Sequence, residues 1–319
     1  MMGEFTSPAA REQAIVKAHQ AFSAGEWSTA TTLFEKLYTD QQTAEFNRYL
    51  VASLYHDEKY LMAEQYAAEQ DAVYLESTDT FQLRLDVALK NQQFIFAREF
   101  CALPAAQEWR SDGLAQIEAA EVASRQTLGE TQRVLARQFY HLGDGDFTEQ
   151  QQRLLRARQL PLQEFMQGVQ YLLVDPFLHP LMRATLLEEL LRLRVSQTVQ
   201  LHWLDDQTYS VDTRQLKPVG ASRAAQMMQQ YLHENLEQQN PMLMANISQT
   251  ITLQLMMLYP FIDKIIKNPV AWVQIVAQQS VTDQADDAEL EEIKMWQDRL
   301  NRFMTALFGS IDDKNHEKP

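Results

Sequence analysis

The sequence predicts an all-α protein, in which a series of helical repeats precedes a helical C-terminal region with one small inserted β-hairpin. Three observations support this fold class. An aromatic-alanine motif returns with a period of about 34 residues, apolar residues recur every three or four positions, and a short stretch near residue 200 alternates apolar and polar residues. With only nine glycines and ten prolines in 319 residues, the composition also favours helices over a turn-rich β fold.

The repeats are predicted to occupy residues 10–104. An aromatic residue is followed three positions later by alanine in three copies: Trp27 and Ala30, Tyr60 and Ala63, Phe94 and Ala97. Seven residues after each aromatic stand Phe34, Ala67 and Cys101, which should face inward. We therefore expect Cys101 to be an inert core residue rather than a nucleophile.

The helix before each motif carries a matching apolar face. Its members recur at i, i+3 and i+4, which is the spacing of one side of a helix. They are Ala18, Ala21 and Phe22 in the first copy, Val51, Leu54 and Tyr55 in the second, and Leu85, Ala88 and Leu89 in the third. Because one repeat cannot bury its apolar face alone, the pattern predicts repeats stacked around a shared core.

These units resemble the tetratricopeptide repeat (TPR), a helix-turn-helix unit of about 34 residues. In that family the second helix begins near a Gly-x-aromatic-x-x-Ala turn, which Gly25, Trp27 and Ala30 match. Glu58 and Gln92 take the place of the glycine in the later copies. The resemblance covers about a third of the chain and implies a right-handed TPR-like α-solenoid with a concave binding surface.

Residues 105–197 are predicted to form degenerate helical repeats. The stretch LGDGDFTEQQ has Gly145 and Phe147 at turn positions, but Gln150 stands where alanine is expected. Its two aspartates would suit a calcium loop, but the EF-hand positions for a further oxygen ligand, a glycine and a glutamate hold Thr148, Glu149 and Leu155. We interpret the stretch as a plain turn.

Residues 198–213 are predicted to form the β-hairpin. Val199, Leu201 and Trp203 alternate with polar residues, as do Tyr209 and Val211, and the polar residues between the two sets offer a turn. Pairing Trp203 with Tyr209 across a loop of three or five residues keeps the apolar side chains on one face. Because an isolated hairpin is only marginally stable, it must lie on helices. We expect it to cap or link the two halves, and a regulatory flap is the alternative.

Residues 221–308 are predicted to be helical. Prolines mark helix starts at Pro161, Pro180 and Pro241, with Asn240 as an N-cap, and two more helices are expected near Pro269–Val281 and Ala288–Leu307. The polar tail 312–319 is expected to be disordered. The combination of DPFLHPLMRATLLEELL, VQLHW with YSVD, and MLYPF resembles an uncharacterised group of cytoplasmic TPR-containing proteins from Firmicutes. That resemblance spans nearly the whole chain and implies an architecture without an activity.

Charge and cysteine content limit the classes of partner and the cellular compartment that we expect. Lys and Arg number 28 against 43 acidic residues, a net charge of −15, so we expect neither nucleic acid nor membrane partners. A single cysteine fits a reducing compartment, and the N-terminal stretch up to Gly25 lacks the apolar core of a signal peptide. The longest apolar run, from Ile251, has about twelve residues against the roughly twenty that span a bilayer. The protein is expected to be cytoplasmic.

No motif for catalysis, cofactor binding or metal binding stands out. The seven histidines and the single cysteine form no zinc-site spacing. Neither a glycine-rich phosphate loop nor a GxSxG nucleophile elbow occurs. We therefore predict that the protein is not an enzyme and has no cofactor, catalytic residue or metal site.

The predicted function is a protein- or peptide-binding scaffold or adaptor that uses the concave TPR surface. TPR domains that bind acidic C-terminal tails hold the carboxylates with basic residues and asparagines. The matching positions here are Ile15, His19, Tyr49, Asp79 and Leu83, which do not reproduce that clamp. We therefore expect a partner with apolar or aromatic anchors and no preference for a free C-terminal carboxylate.

The candidate peptide-binding residues are Ile15, His19, Phe22, Arg48, Tyr55, His56 and Leu89. For Phe22, Tyr55 and Leu89 the alternative is that they complete the core between helices. The alternative function is a cytoplasmic sensor of a small signalling peptide without a DNA-binding domain of its own. The sequence does not predict the oligomeric state.

Overall fold

Most of the chain is helical. The computed structural model describes residue 5 and residues 7–235, 241–281 and 286–315. Within these residues sixteen α-helices and one two-stranded antiparallel sheet form the fold, as predicted for an all-α protein with one hairpin. The chain divides into two compact units, Met1–Arg133 with Arg158–Leu162, and Val134–Ala157 with Gln163–Pro319. Among the described helices, none combines the length and the apolar character that crossing a membrane requires.

The first unit consists of helices that pack on one another in chain order. Each helix from α1 to α6 contacts the next, α3 also contacts α5, and α5 also contacts α7. The helices are α1 (Pro8–Ser23), α2 (Trp27–Asp40), α3 (Ala44–His56), α4 (Tyr60–Ala68), α5 (Thr78–Lys90), α6 (Phe94–Ala102) and α7 (Arg110–Thr127). Each of the three predicted repeats therefore supplies one pair of helices.

The turn within each helix pair has the same backbone conformation in all three copies. Gly25 has φ +73°, and Glu58 and Gln92 each have φ +58°, so all three lie in the left-handed region that favours glycine. In each copy the next amide donates a hydrogen bond to the carbonyl five residues earlier. These bonds, each 2.9 Å long, run from Glu26 to Ala21, from Lys59 to Leu54 and from Gln93 to Ala88. The glycine turn is thus kept where the sequence has no glycine.

The inward positions of the repeats are buried as predicted. The three motif alanines are fully buried, and so are Phe34, Ala67 and Cys101. On the first helices, the first two members of each predicted trio are at most 5% exposed. The third members, Phe22, Tyr55 and Leu89, are half-buried and pack against the core. They therefore contribute to the core while keeping part of their surface open.

Cys101 lies at a close approach of α6 and α7. A Cβ atom at Gly113 of α7 would lie 2.7 Å from the Cys101 Sγ atom. Burial raises the pKa of the thiol to about 11, so the thiol stays protonated at neutral pH. The burial predicted for Cys101 is confirmed.

A buried arginine joins the second and third repeats. Arg84 of α5 is fully buried, and its guanidinium donates to Glu64 at 2.7 and 2.9 Å and to Asp71 at 2.7 Å. The Phe96 ring centroid lies 4.0 Å from its Cζ atom. Removing one partner of a buried ion pair is strongly destabilising, so the Arg84 cluster has a structural role.

A later segment of the chain also belongs to the first unit. It consists of the five residues Arg158–Leu162, which follow α8 (Gly129–Tyr140) in the chain, and we call it the strap. Arg158 pairs with Glu99 of α6, and its carbonyl accepts a hydrogen bond from the Ile95 amide at 3.1 Å. The Leu162 amide donates to the Glu121 carboxylate of α7 at 3.1 Å. The strap therefore holds α6 and α7 by main-chain and side-chain bonds.

The second unit contains the later helices, with α10 from Gln163 onward. They are α9 (Phe147–Ala157), α10 (Leu162–Leu173), α11 (Pro180–Arg192), α12 (Arg223–Asn235), α13 (Pro241–Leu258), α14 (Ile262–Ile265), α15 (Pro269–Val276) and α16 (Asp287–Asn315). Helix α13 contacts α11, α12, α15 and α16. The fully buried Trp272 of α15 donates from Nε1 to the Gln254 side chain of α13 at 2.8 Å.

The predicted helix starts at Pro180, Pro241 and Pro269 agree with α11, α13 and α15. Helix α16 reaches Asn315, so it includes residues 312–315 of the stretch predicted as a disordered tail. Asn240 and residues 316–319 lie outside the described residues.

The turn between α8 and α9 differs from the turns of the three repeats. Gly145 has φ −98°, so the left-handed conformation does not recur there. Gln150, which stands where the repeats have alanine, is buried, and its Nε2 donates to the Gly145 carbonyl at 2.9 Å. A polar side chain thus fills the place of the motif alanine.

The hairpin consists of β1 (Thr198–His202) and β2 (Thr208–Asp212). Leu201 pairs with Tyr209, so the predicted pairing of Trp203 with Tyr209 is wrong by two residues. Trp203 lies beyond the ladder and donates its amide to the Gln207 carbonyl at 2.9 Å, within a five-residue connection. A shift of two residues keeps every side chain on its face, and the Trp203 ring packs on Trp296 of α16 at 5.7 Å.

Candidate peptide-binding site

The seven candidate residues lie on the first helix of each repeat, within the first unit. Ile15, His19 and Phe22 are on α1, Arg48, Tyr55 and His56 are on α3, and Leu89 is on α5. We call the surface that they form the first-helix surface. Its side chains are half-buried except for His56, which is exposed.

Aromatic rings connect the first two repeats across this surface. The Tyr49 ring contacts His19 at 4.6 Å and Phe22 at 5.0 Å, in each case edge to face. Phe22 also meets Trp27 at 5.4 Å, and Trp27 stacks on His56 at 4.4 Å. Trp27 begins α2 directly after the left-handed turn, and the turn brings its ring to the end of α3.

The ring contacts continue into the second helix pair. His56 meets Tyr55 at 5.5 Å, and Tyr55 meets Tyr60 at 5.5 Å. The Lys90 Nζ atom lies 5.3 Å from the centroid of the Tyr60 ring. We call the seven connected rings the aromatic series: His19, Tyr49, Phe22, Trp27, His56, Tyr55 and Tyr60.

A shallow depression lies at one end of the aromatic series. It measures about 620 Å³, and Ile15 and His19 line it together with Val16, Gln20, Ser23 and Ala24. Val16 is 51% exposed, so the depression has an apolar wall that faces solvent.

The third repeat contributes polar groups near Tyr55. The Gln82 Nε2 atom donates to Asp86 at 2.8 Å, and Gln82 and Gln116 exchange two hydrogen bonds at 2.7 and 3.0 Å. Burial raises the pKa of the Asp86 carboxyl. The pKa of Tyr55 is also raised, first by burial and then by the nearby Asp86.

Sequence reasoning did not select this polar group, although the repeat spacing contains a signal for it. Asp86 occupies in the third repeat the position that His19 has in the first. Gln82 likewise occupies the position of Ile15 and Arg48. Extending each candidate position through all three copies would have identified both residues.

Two candidates stand apart from the aromatic series. Arg48 pairs with Glu76 at 2.6 Å, and their side chains are 32% and 57% exposed, so the pair is open to solvent. Leu89 packs against the repeat core. Four candidates, His19, Phe22, Tyr55 and His56, are brought together in the aromatic series, and Ile15 joins His19 in the depression.

Compared with protein-family models, curated proteins and solved structures, the chain gives no match. The likeness to TPR units therefore rests on the motif residues and their spacing. Within the described part of the chain, no group of three or more His, Cys, Asp or Glu residues is placed to hold a metal ion.

Proposed function

We propose that the protein is a non-enzymatic scaffold that binds a peptide, or an extended segment of another protein, on the first-helix surface. The aromatic series is the observation that carries this proposal. Large rings held partly open on a helical surface offer apolar area to a partner, and such patches commonly mark interaction sites. The proposed ligand therefore has apolar or aromatic anchor residues.

The ring contacts favour binding because they fix the geometry of the surface in advance. Stacked and edge-to-face pairs such as Trp27 with His56 and Phe22 with Tyr49 hold each ring in place. Less side-chain freedom is then lost on binding, which raises affinity. Tryptophan and tyrosine are also the residue types that most often dominate binding energy at interfaces.

The charges on this surface argue against recognition of a free C-terminal carboxylate. Arg48 is paired with Glu76, and Asp86 places an acidic group beside Tyr55. The carboxylate of a ligand bound near Asp86 would be repelled by the Asp86 carboxylate, which is partly buried. The partner is therefore bound through its side chains. The bound segment can lie within the partner's sequence as readily as at its C-terminus.

The proposal includes a right-handed TPR-like α-solenoid, with the first-helix surface on its concave side, in a cytoplasmic protein. Support comes from the turn conformation repeated at Gly25, Glu58 and Gln92 and from the consecutive packing of α1 to α7. The net charge of −15 argues against nucleic acid and anionic membranes as partners.

The test begins with selection of binders to the purified full-length chain from a displayed peptide library. The best peptide is synthesised as a free acid and as a C-terminal amide, and both are titrated by fluorescence polarisation. We expect Tyr55→Ala to weaken binding at least tenfold, because it removes a large, partly open ring that joins His56 to Tyr60 in the series. The acid and the amide should bind within about twofold of each other, since an exposed end contributes little.

Leu61→Ala is the matched control, because Leu61 is 74% exposed on α4, outside the first-helix surface. It should leave the affinity unchanged. The thermal midpoint of Tyr55→Ala should stay near that of the parent chain. Unchanged affinity of Tyr55→Ala, or a loss of stability of several kcal/mol typical of a core cavity, would remove the first-helix surface as the binding site.

A further inference from the structure

The second unit contains a pocket that the proposed function does not use. It has a volume of about 520 Å³ and is formed by the turn after α8, the start of α9, the turn leading into α11, the end of the hairpin, and α16. This volume falls within the range of small-molecule binding sites.

Arg183 of α11 lines this pocket with a buried charge that has no counter-ion in contact. It is 7% exposed, and one terminal nitrogen donates to the main-chain carbonyls of Asp175 at 3.1 Å and Pro176 at 3.0 Å. None of the ion pairs among the described residues includes Arg183, and its Nε–H has no hydrogen-bond partner. Burial lowers the pKa of Arg183 to about 10, so it remains charged at neutral pH. Arg84, buried to a similar degree, has two carboxylates instead.

Two more buried polar atoms in the pocket lack partners. The Trp203 Nε1–H group and the Gln150 Oε1 atom make no hydrogen bond. Both residues are buried, each with 5% of its surface exposed. Three of the seven such atoms in the described part of the chain therefore belong to residues that line this one pocket. Each unpaired buried polar atom costs about 1–3 kcal/mol, so a ligand that pairs these residues removes that cost.

The remaining walls are largely apolar. Phe147 and Phe303 pack edge to face on His179 at 5.7 and 5.9 Å, and Phe177 is 86% exposed at the edge of the pocket. The His179 Nδ1 atom accepts from the Leu181 amide at 3.2 Å, so the proton is on Nε2, which faces the Phe303 carbonyl at 3.4 Å. His179 is thus a neutral part of the wall with both nitrogens engaged.

The other charged groups of the pocket are of both signs. Asp206 lies 3.5 Å from Arg299 and 3.7 Å from His202, and Asp146 also lines the pocket. Asp175 and Asp206 act on Arg183 through space and oppose the lowering of its pKa by burial. Among these charged lining residues, Arg183 is the buried one.

We propose that this pocket binds a small organic carboxylate. The carboxylate accepts hydrogen bonds from Arg183 and Trp203, an adjacent N–H or O–H group donates to Gln150, and an apolar or aromatic group packs against Phe177. This chemistry is shared by an acylated amino acid and by the C-terminal residue of a peptide, so the test separates the two sources. The site is independent of the first-helix surface.

The probes are N-acetyl-L-phenylalanine and its amide, N-acetyl-L-phenylalaninamide, titrated into the full-length chain labelled with ¹⁵N. The indole resonance of Trp203, assigned with Trp203→Phe, should shift on addition of the acid. The amide should bind at least tenfold more weakly, because it lacks the charge that pairs with Arg183. The tripeptide Gly-Gly-Phe forms a third arm. Tighter binding of the tripeptide identifies a peptide end as the ligand, and tighter binding of N-acetyl-L-phenylalanine identifies a small acid.

Arg183→Gln should weaken binding of the acid at least tenfold. Because Arg183 also holds two main-chain carbonyls, this variant is checked for folding, and Phe177→Ala serves as the second variant. Phe177→Ala should weaken binding several-fold with an unchanged thermal midpoint, while Tyr171→Ala, a 55% exposed tyrosine that does not line the pocket, should have no effect.

Three results would each overturn the proposal: no binding of N-acetyl-L-phenylalanine or of Gly-Gly-Phe, equal binding of acid and amide, or a Trp203 resonance that does not move. The first would mean that the pocket takes no organic carboxylate, the second that the carboxylate charge is not recognised, and the third that the acid binds elsewhere. Tyr55→Ala should not change binding of N-acetyl-L-phenylalanine, so a failure here is separate from a failure of the first-helix surface.

Discussion

Glu58 and Gln92 adopt the left-handed backbone conformation that Gly25 adopts at the equivalent turn. This conformation costs a residue with a Cβ atom about 1–2 kcal/mol, whereas glycine loses about 0.5–1 kcal/mol in conformational entropy. Glu58→Gly and Gln92→Gly should therefore each raise the free energy of unfolding by roughly 0.5 kcal/mol, measured by urea denaturation.

Gln65→Gly is the control for this pair, since Gln65 is exposed inside α4 and should lose about 1 kcal/mol on replacement. If Glu58→Gly lowered the free energy of unfolding as much as Gln65→Gly, Glu58 would not have the left-handed backbone conformation described here.

At the residue scale, the sequence predicted positions that depend on the repeat alone. Ala63 and Ala97 had to be buried once the period was recognised, because every copy uses the same interface. Arg84 could not be predicted as buried, since its burial depends on Glu64 and Asp71, which lie in the preceding repeat and carry no motif.

At the scale of elements, helix positions followed from apolar spacing, whereas strand register did not. Pairing Trp203 with Tyr209 and pairing Leu201 with Tyr209 both keep the apolar side chains on one face, so alternation cannot separate the two registers. The turn decides between them, and here Trp203 belongs to the connection and packs on α16.

The close approach of α6 and α7 gives a prediction for an element pair. Gly113→Ala places a methyl group 2.7 Å from the Cys101 Sγ atom and 3.3 Å from Phe81, so we expect a loss of about 1–3 kcal/mol in the free energy of unfolding. Cys101→Ala alone should cost about 1 kcal/mol by leaving a small void.

In the double variant Gly113→Ala with Cys101→Ala, the new methyl group fills the space of the lost sulfur. The combined loss should be smaller than the sum of the two single losses by about 0.5 kcal/mol or more, a coupling expected for residues in contact. Purely additive losses in urea denaturation would show that α6 and α7 do not meet at these two residues.

At the scale of the whole molecule, the first-helix surface was within reach of sequence reasoning because periodicity aligns its residues. The pocket of the second unit was not. Gln150, Arg183 and Trp203 come from three separate segments with no shared spacing, and each resembles an ordinary core or helix residue in the sequence. Only the fold brings these three residues to one pocket.

The first unit is not contiguous in the chain, and this gives the last prediction. The unit ends at Arg133 and is completed by the strap, whose bonds from Leu162 to Glu121 and from Ile95 to the Arg158 carbonyl involve partly buried groups. A fragment of residues 1–162 should therefore be more stable to urea than a fragment of residues 1–133, by about 1–3 kcal/mol for the hydrogen bonds regained. The fragment 1–157 is the matched control, because it adds the same intervening residues without the strap. It should unfold at the same urea concentration as the fragment 1–133. If 1–157 and 1–162 unfolded at the same urea concentration, the strap would contribute nothing, and the first unit would be complete at Arg133.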